Sequence, residues 1–106
     1  MEAVAKVSEL KKATKLKVDV EGEPVLLTYL DNEVYAISDR CPHLRASLYK
    51  GSFNAGLVTC PKHNAVIDVK NGNIIEKAHI GFIKMPTKKA KVYQVQVKDD
   101  AIFITK

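Results

Sequence analysis

The chain has 106 residues, a formal charge of +5 and 46% hydrophobic residues, which is the length and balance of one small globular domain. Charged residues interrupt its start, and no run approaches the roughly 20 apolar residues of a transmembrane helix, so we expect neither a signal peptide nor a membrane anchor. We therefore expect a single domain over residues 1–106 with a cytoplasmic location.

The hydrophobic pattern, taken in chain order, predicts an all-β fold of short antiparallel strands. Residues 7–13 can form a short helical turn, and residues 15–21 then alternate polar and apolar side chains as a half-buried strand does. Residues 21–24 and 31–32 are predicted turns. The predicted strands are 15–21, 25–30, 34–37, 57–59, 66–69, 73–76, 92–97 and 101–105.

Two connections in this pattern receive specific predictions. Asn71-Gly72 lies between two short apolar runs and is a strong signal for a two-residue hairpin turn. Residues 77–90 have no clear period, and they contain Gly81 and Pro86. We therefore predict a third long loop there, a length that is usually functional.

The potential soft-metal ligands are concentrated in two segments. Cys41 and His43 lie in the first, and Cys60 and His63 lie in the second, with sixteen residues between His43 and Cys60. The first segment follows the predicted strand 34–37 and the second follows the predicted strand 57–59. Two loops that project from neighbouring hairpins can bring four ligands together.

Two thiolates and two imidazoles suit zinc or an iron–sulfur centre and are poor ligands for magnesium or calcium. Structural zinc sites usually pair cysteines in one segment and histidines in another, whereas each segment here mixes one of each. This order favours a two-iron centre in which one iron takes both cysteines and the other both histidines. A zinc module remains the alternative, and a Cys41–Cys60 disulfide would leave the two histidines unexplained.

At these residues the chain resembles the Rieske 2Fe–2S proteins. Their first ligand segment reads like C-P-H-x-G-A-x-L-x-x-G, and residues 41–51 here read CPHLRASLYKG. Their second reads like C-P-x-H-G-x-x-F-D-x-x-x-G, and residues 60–72 here read CPKHNAVIDVKNG. The resemblance implies a small Rieske-type domain of antiparallel sheets with a cluster-binding subdomain of two loops. It also implies one 2Fe–2S cluster whose ligands are Cys41, His43, Cys60 and His63.

The resemblance also indicates which residues surround the cluster or meet a partner. Pro86 lies in a segment that resembles the proline loop, which in the family shields the cluster from water. The full set of candidates is Leu44, Arg45, Leu48, Lys62, Asn64 and Pro86. Arg45 and Asn64 stand where the family usually has glycine, so a positive φ is expected at both positions, and asparagine tolerates this better than arginine.

Other departures bear on the reduction potential. The positions that carry an extra disulfide in cytochrome bc-type Rieske proteins correspond to Ala46 and Lys62. The positions whose side chains donate hydrogen bonds to the cluster in those bc-type proteins correspond to Ala65 and Ile67. The resemblance therefore implies no such disulfide, and a potential toward the low end of the roughly −150 to +300 mV Rieske range.

The remaining histidine limits what the chain can catalyse. A mononuclear oxygenase iron needs two histidines and a carboxylate, and only His79 is left over. We therefore expect no catalytic site, but a soluble electron carrier that resembles the separate Rieske-type ferredoxins, which relay electrons from a reductase to a terminal oxygenase or other acceptor. The alternatives are a Rieske-like small subunit of a nitrite reductase-type complex and a redox sensor.

The charge distribution suggests the kind of partner. Residues 40–67 and 77–98 contain ten basic residues and no acidic one, and the rest of the chain is net acidic. A basic face beside the ligand loops would steer an acidic docking surface toward them, although a solvated lysine-rich surface has the same pattern. No group of aromatic residues accompanies the basic residues, so we expect no nucleic-acid binding. We also expect the protein to be a monomer.

Overall fold

The computed structural model describes residues 3–41, 46–61, 64–76, 79–80, 83–84 and 89–105. All strand pairs within them are antiparallel, which confirms the expected all-β fold. The elements are, in chain order, β1 Ala5–Lys6, α1 Val7–Ala13, β2 Lys15–Val20, β3 Glu23–Leu30, β4 Glu33–Ser38, a 3₁₀ helix Leu48–Lys50, β5 Ser52–Asn54, β6 Leu57–Thr59, β7 Val66–Asp68, β8 Ile74–Glu76, β9 His79–Ile80, β10 Ile83–Lys84, β11 Val92–Lys98 and β12 Ala101–Thr105.

A six-stranded sheet forms the base of the molecule, with strand order β1-β12-β11-β4-β3-β2. Helix α1 joins β1 to β2 over the predicted residues and buries Leu10 against this sheet. The backbone N–H of Lys6 donates to the Glu9 carboxylate at 3.2 Å, so an acidic side chain caps the first turn. No helix among the described residues is long and apolar enough to span a membrane.

Within the described residues, four hairpins close on two residues that both have positive φ, the geometry that matches the twist of the paired strands. The turn residues are Glu21-Gly22, Asp31-Asn32, Ala55-Gly56 and Asp99-Asp100. The first turn is shorter than predicted, because β3 already begins at Glu23 and Pro24 pairs with Asp19. Proline has no N–H to donate, but its carbonyl accepts the N–H of Asp39 at 3.0 Å.

A second sheet, β5-β6-β7-β8, contains the other predicted hairpin, and there the sequence-based prediction is wrong in detail. Asn71-Gly72 does not form a two-residue turn, since β7 ends at Asp68 and β8 begins at Ile74. The connection is longer, because the N–H of Asp68 donates to the carbonyl of Asn73 at 2.9 Å and the N–H of Gly72 donates to the carbonyl of Asp68 at 2.8 Å.

The prediction of one long loop over residues 77–90 is also wrong in part. His79–Ile80 and Ile83–Lys84 form a short antiparallel pair in which the backbone of Ile80 pairs with that of Ile83. Strands of two residues are too short to show a period of two in the sequence.

Two hydrophobic cores share the central strands. Val25 and Leu27 of β3 point into a core beneath the six-stranded sheet, which also holds Leu10, Val20, Ala36, Tyr93, Ile102 and Ile104. Leu26, between them, points to the opposite face, because successive side chains of a strand alternate. That second core, here called the cysteine core, contains Leu26, Ile37, Cys41, Leu48, Val58, Cys60, Ala65, Ile67, Val69 and Ala90. It lies between the two sheets.

Alanine at Gly72 should destabilise the fold more than alanine at Gly22. Both residues have positive φ, 76° and 85°, so both substitutions incur backbone strain of about 1–2 kcal/mol. A Cβ at Gly72 would also overlap the carbonyl oxygen of Ala90, whereas nothing lies within 4 Å at Gly22. We expect Gly72→Ala to lower the free energy of unfolding in urea by about 1–3 kcal/mol more than Gly22→Ala. Equal losses would contradict the close approach at Gly72.

Candidate metal centre

Both cysteines are fully buried at the ends of strands from different sheets. Cys41 follows β4 of the six-stranded sheet, and Cys60 directly follows β6 of the smaller sheet. Their side chains belong to the same apolar core, and they do not form a disulfide with each other. Two thiols that share one buried apolar environment are soft donors from which the protein excludes water, as an iron–sulfur or zinc site requires.

The two ligand segments repeat one backbone hydrogen bond. The N–H of Cys41 donates to the carbonyl of Ala46 at 2.8 Å, and that of Cys60 donates to the carbonyl of Ala65 at 2.7 Å. In both segments the acceptor lies five residues after the cysteine. The two cysteines therefore occupy equivalent positions at the bases of two similarly closed loops.

The bases of the two loops are anchored differently. The second loop leaves the β6–β7 ladder immediately after Thr59 has paired with Val66. In the first loop, by contrast, the described residues contribute a single β-bridge, between Arg40 and Ser47. The first loop therefore depends more on side chains for its position.

Asp39 supplies much of that support, and sequence reasoning did not identify it. Its side chain is 2% exposed and accepts hydrogen bonds from the Ser47 hydroxyl at 2.6 Å and the Tyr49 N–H at 2.7 Å. The ammonium group of Lys17 lies 3.6 Å from the same carboxylate. Nothing in the sequence marks this role except that Asp39 is the last acidic residue before the acid-free stretch 40–67.

Gly51 brings the two loops into contact. A Cβ at this position would overlap the carbonyl oxygen of Thr59 and would lie 3.2 Å from Cδ of Pro61. These two residues flank Cys60. The end of the first ligand segment therefore packs directly on the base of the second, and glycine is required there for space.

Among the candidates from sequence, Leu48 and Asn64 lie within the described residues. Leu48 is buried in the cysteine core, so it is placed to surround a bound group and not to contact a partner at the surface. Asn64 is exposed and has a φ of 57°, which confirms the expected left-handed backbone. The other candidates, His43, Leu44, Arg45, Lys62, His63 and Pro86, lie outside the described residues.

The described side chains that share a core with the two cysteines are apolar. Ala65 and Ile67 are buried and offer no hydrogen-bond donor on their side chains. Tyr35 packs against the same core, but its hydroxyl donates to the Glu33 carboxylate at 3.1 Å. Desolvation and the neighbouring Glu33 raise the pKa of Tyr35 above its ordinary value.

Comparison with known proteins gives a consistent family assignment. The family model described as "Rieske [2Fe-2S] domain" matches residues 1–93. The chain is 33% identical over 103 residues to the 3-phenylpropionate/cinnamic acid dioxygenase ferredoxin subunit of Photorhabdus laumondii, covering 96% of this chain and 90% of that protein. It is 31% identical over 96 residues to human apoptosis-inducing factor 3, covering 86% of this chain but only 16% of that protein.

Solved structures agree with the sequence comparisons. The ferredoxin of carbazole 1,9a-dioxygenase from Nocardioides aromaticivorans IC177 superposes with a TM-score of 0.81 at 29% identity. The match covers 97% of this chain and 94% of that ferredoxin. This chain therefore has the same overall fold as that ferredoxin.

Alanine at Gly51 should disturb the contact between the loops without straining the backbone. The φ of Gly51 is −86°, which any residue adopts, so the effect isolates the overlap with Thr59. We expect a loss of about 1–3 kcal/mol in the free energy of unfolding and a lower iron content in the purified protein. Ser52→Ala, one residue later on an exposed side chain, should change neither quantity. Full iron content in Gly51→Ala would show that the close approach does not position Cys60.

Proposed function

This chain belongs to the Rieske [2Fe-2S] domain family, and we propose that it acts as a Rieske-type ferredoxin that carries single electrons between redox proteins. A Rieske 2Fe–2S cluster is its cofactor, which confirms the cofactor prediction from the ligand spacing. The observation that carries the proposed function is the pair of buried cysteines at equivalent positions of two loops within one apolar core.

The proposed ligands are Cys41 and Cys60 for the inner iron and His43 and His63 for the outer iron. Burial of both cysteines supports the first assignment, and the histidine assignment rests on the spacing within the two segments. When bound, the cluster supplies a one-electron couple whose potential responds to its ligands and hydrogen bonds. The protein holds the two thiolates in an apolar site that excludes water, and it fixes the relative position of the two ligand loops.

The relative that the chain spans almost completely is a ferredoxin subunit, which supports a carrier role. The chain spans nearly the full length of a dioxygenase ferredoxin subunit but about a sixth of human apoptosis-inducing factor 3. We therefore propose that the donor is a reductase and that the acceptor is a terminal oxygenase or another redox enzyme. We further propose a monomeric cytoplasmic carrier that consists of one domain over residues 1–106 and binds no membrane.

The proposed docking surface is basic and surrounds the ligand loops. Lys50 is exposed at the end of the 3₁₀ helix that follows the first loop, and Lys89 and Lys91 are exposed in the segment that leads into β11. Arg40, next to Cys41, is 3.3 Å from Glu23, so part of its charge is already neutralised within the chain. Such a surface favours an acidic partner and accelerates encounter at low ionic strength.

Removal of either cysteine should abolish cluster binding, whereas a larger loss of core volume elsewhere should not. We expect two irons, two acid-labile sulfides and uptake of one electron per chain in the wild type, and almost none in Cys41→Ala, Cys60→Ala or His43→Ala. Val58→Ala is the matched control, because it removes two methyl groups from the same core and leaves every proposed ligand in place. We expect it to lose about 1–3 kcal/mol of stability but to keep two irons.

Two outcomes of that measurement would reject the ligand assignment. A colourless wild-type protein with one zinc per chain would exclude the iron cluster. A Cys60→Ala protein that retains two irons and a reversible one-electron couple would show that Cys60 is not an essential iron ligand.

Charge reversal near the first loop should slow electron transfer more than the same reversal far away. The acceptor is first captured from the source cells with the tagged chain, and transfer to it is then followed by stopped flow across a range of salt concentrations. We expect Lys50→Glu to lower the rate several-fold at low salt and to flatten its salt dependence. Lys98→Glu changes the net charge equally but lies at the opposite end of β11 from Val92, which pairs with Ile37 near the cysteine core.

The capture and the rate measurement also test whether the chain is a free carrier or a subunit of a larger complex. If Lys50→Glu and Lys98→Glu lower the transfer rate equally, the proposed docking surface near Lys50 is contradicted. Stoichiometric co-purification with a large catalytic chain would favour the subunit alternative over a free carrier.

A further inference from the structure

Residues 47–51, here called the connector, join the first ligand loop to β5 and contain the 3₁₀ helix Leu48–Lys50. The connector is internally hydrogen-bonded, since the N–H of Gly51 donates to the carbonyl of Leu48 at 3.0 Å. The side chains of Asp39, which directly follows β4, and of Lys15 in β2 contact the connector near its two ends. These contacts attach the connector to the six-stranded sheet.

An anionic side chain holds the beginning of the connector. The two carboxylate oxygens of Asp39 accept the hydroxyl of Ser47 and the N–H of Tyr49, and the main-chain carbonyl of Asp39 accepts the N–H of Leu48 at 2.7 Å. These N–H groups start a 3₁₀ helix and have no partner within it. A carboxylate is a strong acceptor for such donors, especially where water is excluded.

A cationic side chain holds the end of the connector. The ammonium group of Lys15, the first residue of β2, donates to the carbonyl of Tyr49 at 2.6 Å and to that of Gly51 at 2.7 Å. The same group lies 5.0 Å from the centre of the Tyr49 ring. Carbonyl groups at the end of a helical turn attract a cation, so the two charges complement the two ends of the connector.

Through Gly51, the connector also reaches the second ligand loop. Gly51 packs on Thr59 directly before Cys60, and Ser47 forms the β-bridge with Arg40 directly before Cys41. The connector therefore contacts the residues directly before both cysteines. The side chains of Asp39 and Lys15 attach it to the six-stranded sheet.

We propose that Asp39 and Lys15 are positioning residues of the metal centre, and that this clamp on the connector sets the placement of both cysteine loops. The inference rests on the proposed function in taking Cys41 and Cys60 as ligands. Neither side chain is proposed to touch the cluster.

The test compares iron release with local opening in a small set of variants. Asp39→Ala removes both hydrogen bonds, whereas Asp39→Asn keeps an oxygen for the Tyr49 N–H and an amide for the Ser47 hydroxyl. Lys15→Met keeps the aliphatic stem and removes the donors. Lys17→Met is its matched control, because Lys17 is 45% exposed and lies 3.6 Å from the carboxylate of Asp39.

Two rates are measured for each variant. Iron release to an excess of a ferrous chelator reports retention of the centre. Amide hydrogen exchange at Leu48 and Tyr49 reports opening of the connector, and the amide of Asp68, which bonds to the carbonyl of Asn73 at 2.9 Å, reports the smaller sheet.

We expect Asp39→Ala to accelerate iron release and exchange at Tyr49 about tenfold or more, with exchange at Asp68 within about twofold of the wild type. Asp39→Asn should stay within about threefold of the wild type in both rates. Lys15→Met should accelerate iron release several-fold and Lys17→Met should not. If Asp39→Ala does not fold, Ser47→Ala removes one of the same hydrogen bonds. It should accelerate iron release and exchange at Tyr49 by a smaller factor, again without a comparable change at Asp68.

The proposal is overturned if exchange at Asp68 rises as much as exchange at Tyr49, since Asp39 would then support the fold as a whole. It is also overturned if the two lysine variants release iron at the same rate. Failure of the proposed function has a different signature, a wild type without two irons. In that case, exchange at Leu48 and Tyr49 in the metal-free protein still tests the clamp.

Discussion

The structure depends on one constraint, that two cysteines from two different sheets become buried in the same apolar core. Leu26 and Ile37 of the six-stranded sheet and Val58 and Ile67 of the smaller sheet close this core from opposite sides. Each such side chain contributes roughly 1.5–3 kcal/mol through burial, so the two sheets cannot separate without a large loss of stability. The relative position of Cys41 and Cys60 is therefore set by the packing of the fold and not by the ligand loops alone.

Alternation along β3 makes this arrangement possible. Because neighbouring side chains of a strand point to opposite faces, Leu26 can line the cysteine core while Val25 and Leu27 line the other core. The base therefore has a hydrophobic core of its own, independent of the metal centre. A change in the ligand loops can then alter the centre while the six-stranded sheet keeps its stability.

Most of the fold and the identity of the candidate ligands could be predicted from the sequence, because both leave local patterns. The alternation in residues 15–21 marks β2, and the Cys-x-His and Cys-x-x-His spacings mark the two ligand segments. The strands that were missed, β1, β5, β9 and β10, have two or three residues each and contain a single apolar residue. The equally short β6, β7 and β8 each contain two adjacent apolar residues, which made them recognisable. Asp39 and Lys15 were missed for a different reason: their partners lie eight or more residues away, and no local pattern in the sequence marks such contacts.

The glycine positions of the two ligand motifs show how one residue type meets different physical demands. At Gly72 the backbone has positive φ and the carbonyl of Ala90 approaches closely, so a side chain is opposed by both strain and space. At Gly51 the φ of −86° is ordinary, and only the approach of Thr59 excludes a Cβ. At Asn64, where the family usually has glycine, the φ is 57° and the residue is exposed, so the demand is conformational. Asparagine meets that demand at small cost, which explains why the glycine is replaced at this position while Gly51 and Gly72 are kept.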